Sequence, residues 1–553
     1  LSESLRITLS DGAVREVLSG TLVRELAPPS DDVTEQALVG LLDDESVDLR
    51  TPLTKNARLS FASLATPDGA RAYRHGLKFL LSIAAAGCYP EERVMLEHSL
   101  GGCLYGKLQR RRSIDVHTVA RLREEMRRLV DADLELEPVE VSKEQAAVIF
   151  QRGGDYSKLK LLVEWPRETV QLYRCAGVYQ FYPGPLVERT GLLDLFDLQS
   201  YPPGFILRLP DLSRPDKLGV TDNRPKLFRI FYENERWGEV LGAETVGDLN
   251  EEAKLPSWDT LLHVAESLHE NKIAAIAQAI LSRQPVPRVI LVSGPSSSGK
   301  TTFSRRLGIQ LRVLGARPEN LSLDDYFVDR EKTPRSDNGD YDYEALEAID
   351  VERFNTDLNQ LLEGRNVVLP RYDFKTGTSE PGRGLRLGPD SLLVVEGIHG
   401  LNDALTPVVW PHMKYKVYVS ALTCLNVDDQ NAISTSDVRL IRRIVRDCHS
   451  RGYSAEETIA RWPSVRAGEG RWIFPYQESA DDMFNSALIY ELHALRGVAE
   501  PALRTVSRSS PEYGEACRLL GLLEMVRQVP FDNVPATSIL REFLGGSAFR
   551  GVG

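Results

Sequence analysis

No apolar run in these 553 residues approaches the ~20 needed to cross a bilayer, and the opening Leu1 to Leu18 lacks the basic start and apolar core of a signal peptide. Six scattered cysteines include no C-x-x-C pair, which suits reduced thiols filling a core rather than a disulfide or zinc framework. Basic charge is in deficit, 67 Lys and Arg against 79 Asp and Glu, so the net charge of −12 argues against a general nucleic-acid binder. The one local basic run, Lys107 to Arg112 (KLQRRR), reads as a solvated helix face. There is no internal repeat and no low-complexity tract. These absences lead us to expect a cytoplasmic protein with no membrane partner, and they leave oligomeric state open.

What is present is concentrated in one stretch. Val289, Ile290, Leu291 and Val292 form a short continuous apolar run, the pattern of a strand buried on both faces of a parallel sheet. The turn after it, Gly294-Pro-Ser-Ser-Ser-Gly299-Lys300-Thr301, fits G-x-x-x-x-G-K-[ST], and a helix is expected to open directly from it. Glycine at 294 and 299 permits backbone angles closed to other residues. The loop through Ser296, Ser297, Ser298 and on to Thr302 can then turn its N–H groups onto phosphate oxygens at a helix N-terminus. Lys300 is expected on the β- and γ-phosphates and the Thr301 hydroxyl on Mg2+, which makes ATP and Mg2+ the implied cofactors.

Three later segments supply matching chemistry. Leu321-Ser-Leu-Asp-Asp-Tyr-Phe327 is an apolar run ending in acids, so Asp324 or Asp325 is placed to face the γ-phosphate and take the proton of an acceptor hydroxyl. Ser391 to Gly400 (SLLVVEGIHG) puts Glu396 at the end of another apolar strand, where a buried acid needs a cation to compensate it. Asp437 to Asp447 places Arg439, Arg442, Arg443 and Arg446 on one helix at spacings of three and four. Their planar donor forks suit phosphate, and Arg442 and Arg446 are the expected catalytic pair.

Together GPSSSGKTT, LSLDDYF, Gly339 to Asp350 (GDYDYEALEAID), Pro370 to Phe374 (PRYDF), LLVVEGIHG and RLIRRIVRD resemble the uridine kinase branch of the phosphoribulokinase/uridine kinase family. The resemblance implies that Asp324 is the base on a ribose 5′-hydroxyl and that Asp342 binds the sugar hydroxyls. Tyr372 and Phe374 would line the nucleoside pocket, and the lid arginines would close over the phosphates. One departure matters: where the family reads the pyrimidine with a histidine after PxYDF, this chain has Lys375-Thr-Gly377-Thr378. Losing a base-reading donor opens the identity of the acceptor. The lid is also unusual, with Asn426 to Ser436 before the arginines and Arg461 to Pro475 after them. Arg466, Arg471, Trp462 and Trp472 are expected either to form a mobile cover or to pack against the N-terminal half.

That half carries two further resemblances. LRITLSDGAVREVL reads as two strands around an Asp11-Gly12 turn, with more strand-like runs at Ala37 to Leu49 and Ala57 to Leu64. These segments look like a TGS domain. From about Gly69 to Phe231 the chain resembles the additional, editing-type domain of threonyl-tRNA synthetases, through His75 to Pro90 and Gln180 to Gly191. The metal-binding pattern there is lost: His75 stands in the first histidine position, but Phe79, Tyr182 and Leu186 replace the other ligands. A single imidazole cannot hold a catalytic metal, so His75 and His98 read as structural histidines in a binding or docking module.

The expected fold is multidomain α/β. A TGS-like β-grasp unit (1–67) precedes an α+β editing-like unit (68–235), a helical linker (236–284), a P-loop kinase with a parallel sheet (285–500) and a C-terminal helical extension (501–553). The last contains a helix at Pro511 to Val529 and docks on the kinase. The leading functional expectation is ATP- and Mg2+-dependent phosphorylation of a nucleoside 5′-hydroxyl, uridine or cytidine first. A second is a kinase for another sugar or small alcohol. A third, from another class, is a nucleotide-binding regulatory protein with an RNA-binding N-terminal half.

Overall fold

A computed structural model describes residues 4–549 with the exception of 31, 33, 112, 221–222, 336–338, 340 and 424. Arg112 of the basic run, Asp340 of the 339–350 segment and Cys424 lie outside the described residues. The alternating start forms strands Ser4–Leu9 and Val14–Leu18, paired antiparallel with Thr8 opposite Val14. Val39–Leu42, Glu45–Val47 and Ala57–Ala62 complete a five-stranded mixed sheet over Leu5, Ile7, Leu49, Leu53 and Leu59. The helix Pro67–Cys88, capped by the Thr66 hydroxyl, leads into the second unit, built on an antiparallel four-stranded sheet and a three-stranded one.

The basic run is not on a helix. It lies on the strand Cys103–Leu108 and the turn after it, because alternating buried side chains take that segment into the sheet. Its charges are matched by acids: Lys107 by Glu97 and Glu235, Arg110 by Glu91 and Arg111 by Glu92. Where the editing-type ligands would converge, His75 instead stacks on Tyr182 at 5.5 Å between ring centres.

The kinase unit carries a five-stranded, all-parallel sheet. Its strands are β1 (Val289–Ser293), β2 (Arg317–Ser322), β3 (Ser391–Glu396), β4 (Lys414–Ser420) and β5 (Asp482–Asn485), in the order β2-β3-β1-β4-β5. Every residue of β1 and β4 is buried; β1 is continuously apolar from Val289 to Val292, whereas β4 carries Lys414 and Lys416, both paired with Asp403. Helix α1 (Lys300–Val313) follows β1 through the glycine-rich loop; α2 (Thr435–Arg446) and α3 (Ala455–Trp472) form the arginine and tryptophan segments. The connecting segment is a 25-residue helix, Trp258–Ser282. The expected boundary at 235/236 falls inside the helix Pro225–Leu241, and the one at 500/501 inside α4 (Glu491–Leu503). One apolar core runs from Ala146 through the connecting helix and the kinase sheet to Leu544, which is why those two boundaries do not separate packed units. No helix among the described residues is long and apolar enough to cross a membrane.

The segment from Asn426 to Ser436 is no free cover over the site. Asn426–Asp428 and Asn431–Ala432 pair as a small hairpin that inserts into the editing-like unit. Leu96 N donates to Asp429 O at 2.9 Å, and Asn431 Nδ2 to Phe181 O at 3.0 Å. Lys78 Nζ donates to Gln430 O and Asn431 Oδ1 at 3.1 Å, and Lys158 Nζ to Gln430 Oε1 at 3.1 Å. The cleft that keeps Lys78, Phe79 and Tyr182 is thus a socket for the kinase hairpin.

Burial of Lys78 makes this docking pH-dependent. Desolvation, offset in part by Asp428 and reinforced by Arg74 and Lys158, lowers its pKa from 10.5 to about 7. Between those values the unfolded chain binds a proton the folded chain does not, so this contribution to stability grows as pH rises from 7 toward 10.5 and is lost as pH falls through 7. Urea unfolding of wild type and Lys78→Met at pH 7 and pH 9 is expected to show a smaller gain in the variant. The difference is limited to about 1.4 kcal/mol per pH unit.

Candidate active site

The glycine-rich loop leaves β1 through three positions of positive φ, Gly294, Ser297 and Gly299. Gly294 lies against the sheet so closely that a Cβ there would sit 1.8 Å from Val419 O, and Gly299, at φ +81°, turns the chain into α1. Ser297 also takes a positive φ of 58°, an uncommon angle for a residue with a side chain. Buried hydroxyls of Ser297 and Ser298 find no hydrogen-bond partner among the described residues, which fits a loop shaped to receive an oxyanion. Lys300 folds back, its Nζ donating to Pro295 O at 3.0 Å.

Register places the acids. Ser322 of β2 and Val292 of β1 both sit beside Glu396 at the end of β3. Ser322 Oγ donates to Glu396 Oε1 at 2.8 Å, and Thr301 Oγ1 lies 3.4 Å from the same oxygen. Desolvation, with Asp324 acting in the same direction and Lys300 against it, pushes the Glu396 carboxyl up to about 7. Glu396 makes no ion pair within 4 Å among the described residues, so a cation beside Thr301 and Glu396 would compensate it. The donor set, a hydroxyl and a carboxylate, suits a hard divalent ion such as Mg2+.

Asp324 and Asp325 follow on a single 3-10 turn, Leu323–Tyr326, capped by Ser322. They face different ways. Asp324 is exposed and acts electrostatically on Glu396 and Glu344, whereas Asp325 faces the strand Asn366–Asp373, where Tyr372 N–H and Arg371 offset its desolvation. The Tyr372 ring packs 5.5 Å from Phe327 and 5.0 Å from Phe374, and Phe374 is left exposed. This aromatic wall flanks the Asp324 turn. Asp342 closes its own turn by accepting from Glu344 N at 3.1 Å.

The arginines divide in a way that helical spacing did not predict. Arg442 is fully buried; its Nε donates to Glu491 at 2.6 Å and its Nη2 to Ser486 O at 2.8 Å. Ser486 in turn donates to Ser298 O, so Arg442 positions the loop instead of facing the phosphates as expected. Arg439 Nε donates to Ser296 O at 2.9 Å, and Arg443 Nη1 to Ser296 Oγ at 3.0 Å. Arg443, Arg446 and Arg451 share the single buried carboxylate of Asp447, at 3.3, 2.8 and 3.7 Å. Three guanidinium groups on one carboxylate leave positive charge in excess, which suits a phosphate. Trp462 lies 5.3 Å from Arg439, and Trp472 packs 6.4 Å from His399, so both tryptophans are built into the fold.

Four further residues stand at this site. Glu344 approaches from the 339–350 segment; desolvation and Glu469 push its carboxyl up to about 7 against Arg443 and Lys300. Arg330 fills the space beside Gly377, where a Cβ would meet its Nε at 2.7 Å, and donates to Phe374 O at 2.7 Å. Glu469, fully buried against Arg439, accepts from Ser296 N at 3.0 Å. Glu542, on the short helix α5 (Arg541–Leu544) of the C-terminal extension, accepts from Thr302 N at 3.1 Å and Thr302 Oγ1 at 2.7 Å. Ile539 meanwhile covers Gly299. Glu344 sits within the 339–350 segment, whereas the other three belong to no local motif.

A parallel sheet whose central strand runs through G-x-x-x-x-G-K-[ST] into a helix defines a P-loop phosphotransferase fold. Residues 289–489 match the model of the Phosphoribulokinase / Uridine kinase family. The N-terminal region is similar to threonine–tRNA ligases: 29% identity over 200 residues to that of Geobacillus sp. (strain WCH70), covering 36% of this chain and 31% of the relative. The ligase of Thermotoga neapolitana is 30% identical over 202 residues, covering 35% and 30%. The chain therefore spans about a third of the length of these curated relatives. Among solved structures, the "Possible Uridine Kinase from Bacillus stearothermophilus" aligns at 21% identity and TM-score 0.27, over 39% of this chain and 98% of that one. Phosphoribulokinase from Rhodobacter spheroides aligns at 20% identity and TM-score 0.26, over 36% and 70%.

Proposed function

We propose that this protein is an ATP- and Mg2+-dependent kinase that phosphorylates a primary hydroxyl of a nucleoside or other sugar-containing alcohol. The observation that carries the reading is the position of Asp324: exposed, at the tip of β2, one strand from the Thr301–Glu396 pair and flanked by an aromatic wall. Asp324 would orient the acceptor hydroxyl and accept its proton. Lys300 swings from Pro295 O to the β- and γ-phosphates, and the arginines around Asp447 neutralise charge on the transferring group. Thr301 and Glu396 would hold Mg2+, which supplies charge neutralisation between the phosphates.

Tyr372 and Phe374 favour a flat, apolar part in the acceptor, which supports a nucleoside over a plain sugar. Uridine and cytidine come first through the family resemblance, and Arg330 supplies a donor beside the position where Gly377 replaces a histidine. ATP consumption with Mg2+ against ribonucleosides, deoxynucleosides and small sugars tests this. Saturable turnover on a nucleoside supports it; turnover restricted to sugars moves the acceptor class, and none on any alcohol sinks the kinase reading. The hydrogen bonds that Glu469 and Glu542 accept from the loop favour one second reading, a nucleotide-responsive regulatory protein with low basal turnover.

A further inference from the structure

Away from the glycine-rich loop, a cavity of about 110 Å3, open at its mouth, lies where the editing-like unit, the connecting helices and the kinase meet. Ligand sites favour such junctions. Its walls are apolar and aromatic, with Phe231, Trp237, Leu268 and Leu492 among them. Its polar lining is one-sided. Four carboxylates, Glu97, Glu235, Glu244 and Glu491, line it, and among the described residues no lysine or arginine does.

Their outside partners do not cancel that charge. Lys107 serves both Glu97 and Glu235, at 2.9 and 2.5 Å, Arg442 serves Glu491, and Glu244 has no basic partner within 4 Å among the described residues. Burial raises the pKa of the Glu244 carboxyl and the like charge of Asp248, Glu235, Glu239 and Asp429 raises it further, so a cation beside it would restore its charged form. The histidines add nothing positive. His98 is stacked on Phe231 at 3.8 Å and His269 is fully buried, and desolvation lowers the pKa of each to about 3.

The unpartnered atoms point to the same kind of ligand. His269 Nε2 faces Ala487 O at 3.1 Å and so carries the proton, which leaves the buried Nδ1 as an acceptor without a donor. Asn426 Nδ2 donates to Leu96 O, which fixes its Oδ1 as a second acceptor without a donor. A buried acceptor left unmet is destabilising, and both belong to residues that line a cavity already rich in carboxylate oxygens.

We infer that this cavity is a binding site for a small organic cation, an amine or amidinium with several N–H donors on a flat apolar body. The N–H groups would meet Glu244, His269 Nδ1 and Asn426 Oδ1, while Trp237 and Phe231 receive the apolar part and the positive charge. Val438 of α2 and Glu491, the partner of Arg442, border the same cavity, so its occupant touches elements that hold the glycine-rich loop.

The test is calorimetric titration and thermal melting of the full chain with benzamidine and tryptamine, each paired with a neutral analogue, benzamide and tryptophol. We expect the cations to bind at least about tenfold more tightly than their neutral partners and to raise the melting temperature. Glu244→Gln should lower cation affinity by about tenfold or more, and Leu268→Trp, which fills the cavity, should abolish it while the circular dichroism spectrum is unchanged. Equal binding of charged and neutral analogues would overturn the proposal, as would no binding by any of them. Cation binding that survives Leu268→Trp would place the cation elsewhere and overturn it too.

Discussion

Asp324→Asn is expected to lower the maximal rate of phosphoryl transfer by about 100-fold or more, the usual consequence of removing a general base. The amide keeps the shape and one hydrogen bond to the acceptor but cannot take its proton. Nucleotide affinity should change by less than about threefold, because Asp324 makes no hydrogen bond to the loop, its backbone N–H going instead to Ser322 Oγ at 3.3 Å. Asp325→Asn serves as the control: that carboxylate faces Tyr372 and Arg371, so its loss should act on the Michaelis constant for the acceptor more than on the maximal rate. A drop smaller than about tenfold for Asp324→Asn, or an equal drop for both variants, would remove Asp324 from the role of base.

Glu542→Ala is expected to tighten ATP and ADP binding by about tenfold or more. Its carboxylate accepts from both the N–H and the hydroxyl of Thr302, at the N-terminal turn of the loop helix where a nucleotide phosphate would lie. A hydrogen bond to a charged group contributes about 1.5–3 kcal/mol, so a phosphate that uses Thr302 must first displace an acceptor of the same sign. The contact is anchored: Ile539, Leu540, Phe543 and Leu544 are buried, and Phe543 lies 5.1 Å from the Arg442 guanidinium. Removing only the carboxylate leaves that anchor in place and should lower the melting temperature of the nucleotide-free protein, because a helix terminus loses its acceptor. Titration with a fluorescent nucleotide measures the effect. Unchanged affinity together with a lowered melting temperature would show that Glu542 only caps the helix.

The site was legible to different depths. The glycine-rich loop, the Asp324–Asp325 pair and Glu396 were placed from sequence, because a loop between a strand and a helix, and an acid at a strand end, are local patterns whose geometry follows from a few adjacent residues; which of the two aspartates is exposed was not. The arginines were not. Four residues on one helix can be spaced correctly for a common face, yet which guanidinium reaches Ser296 and which is taken up by Glu491 depends on what packs against each side of α2. Arg439 and Arg443 touch the loop, and Arg442 is held away from it by partners 44 and 49 residues on. The docking of the segment before them was equally hidden. Asn426 to Ser436 stood out only as an unusual polar stretch, and nothing local shows that Gln430 and Asn431 enter the socket around Lys78.

By itself the sequence determined the parallel kinase sheet, the phosphate loop, the β-rich opening unit and the loss of the editing-type ligands. Each of these is written in residues close together in the chain, where glycine angles, period-two or continuous apolar runs, and missing side chains have direct structural meaning. Only the tertiary structure decided that Glu469 and Glu542 satisfy the loop, that Arg330 fills the space at Gly377, and that the kinase hairpin sits in the emptied editing-like cleft. These contacts join residues tens to hundreds of positions apart. A carboxylate or a guanidinium has no preferred partner until the packing of apolar surface brings one to it and removes the water that would otherwise solvate both.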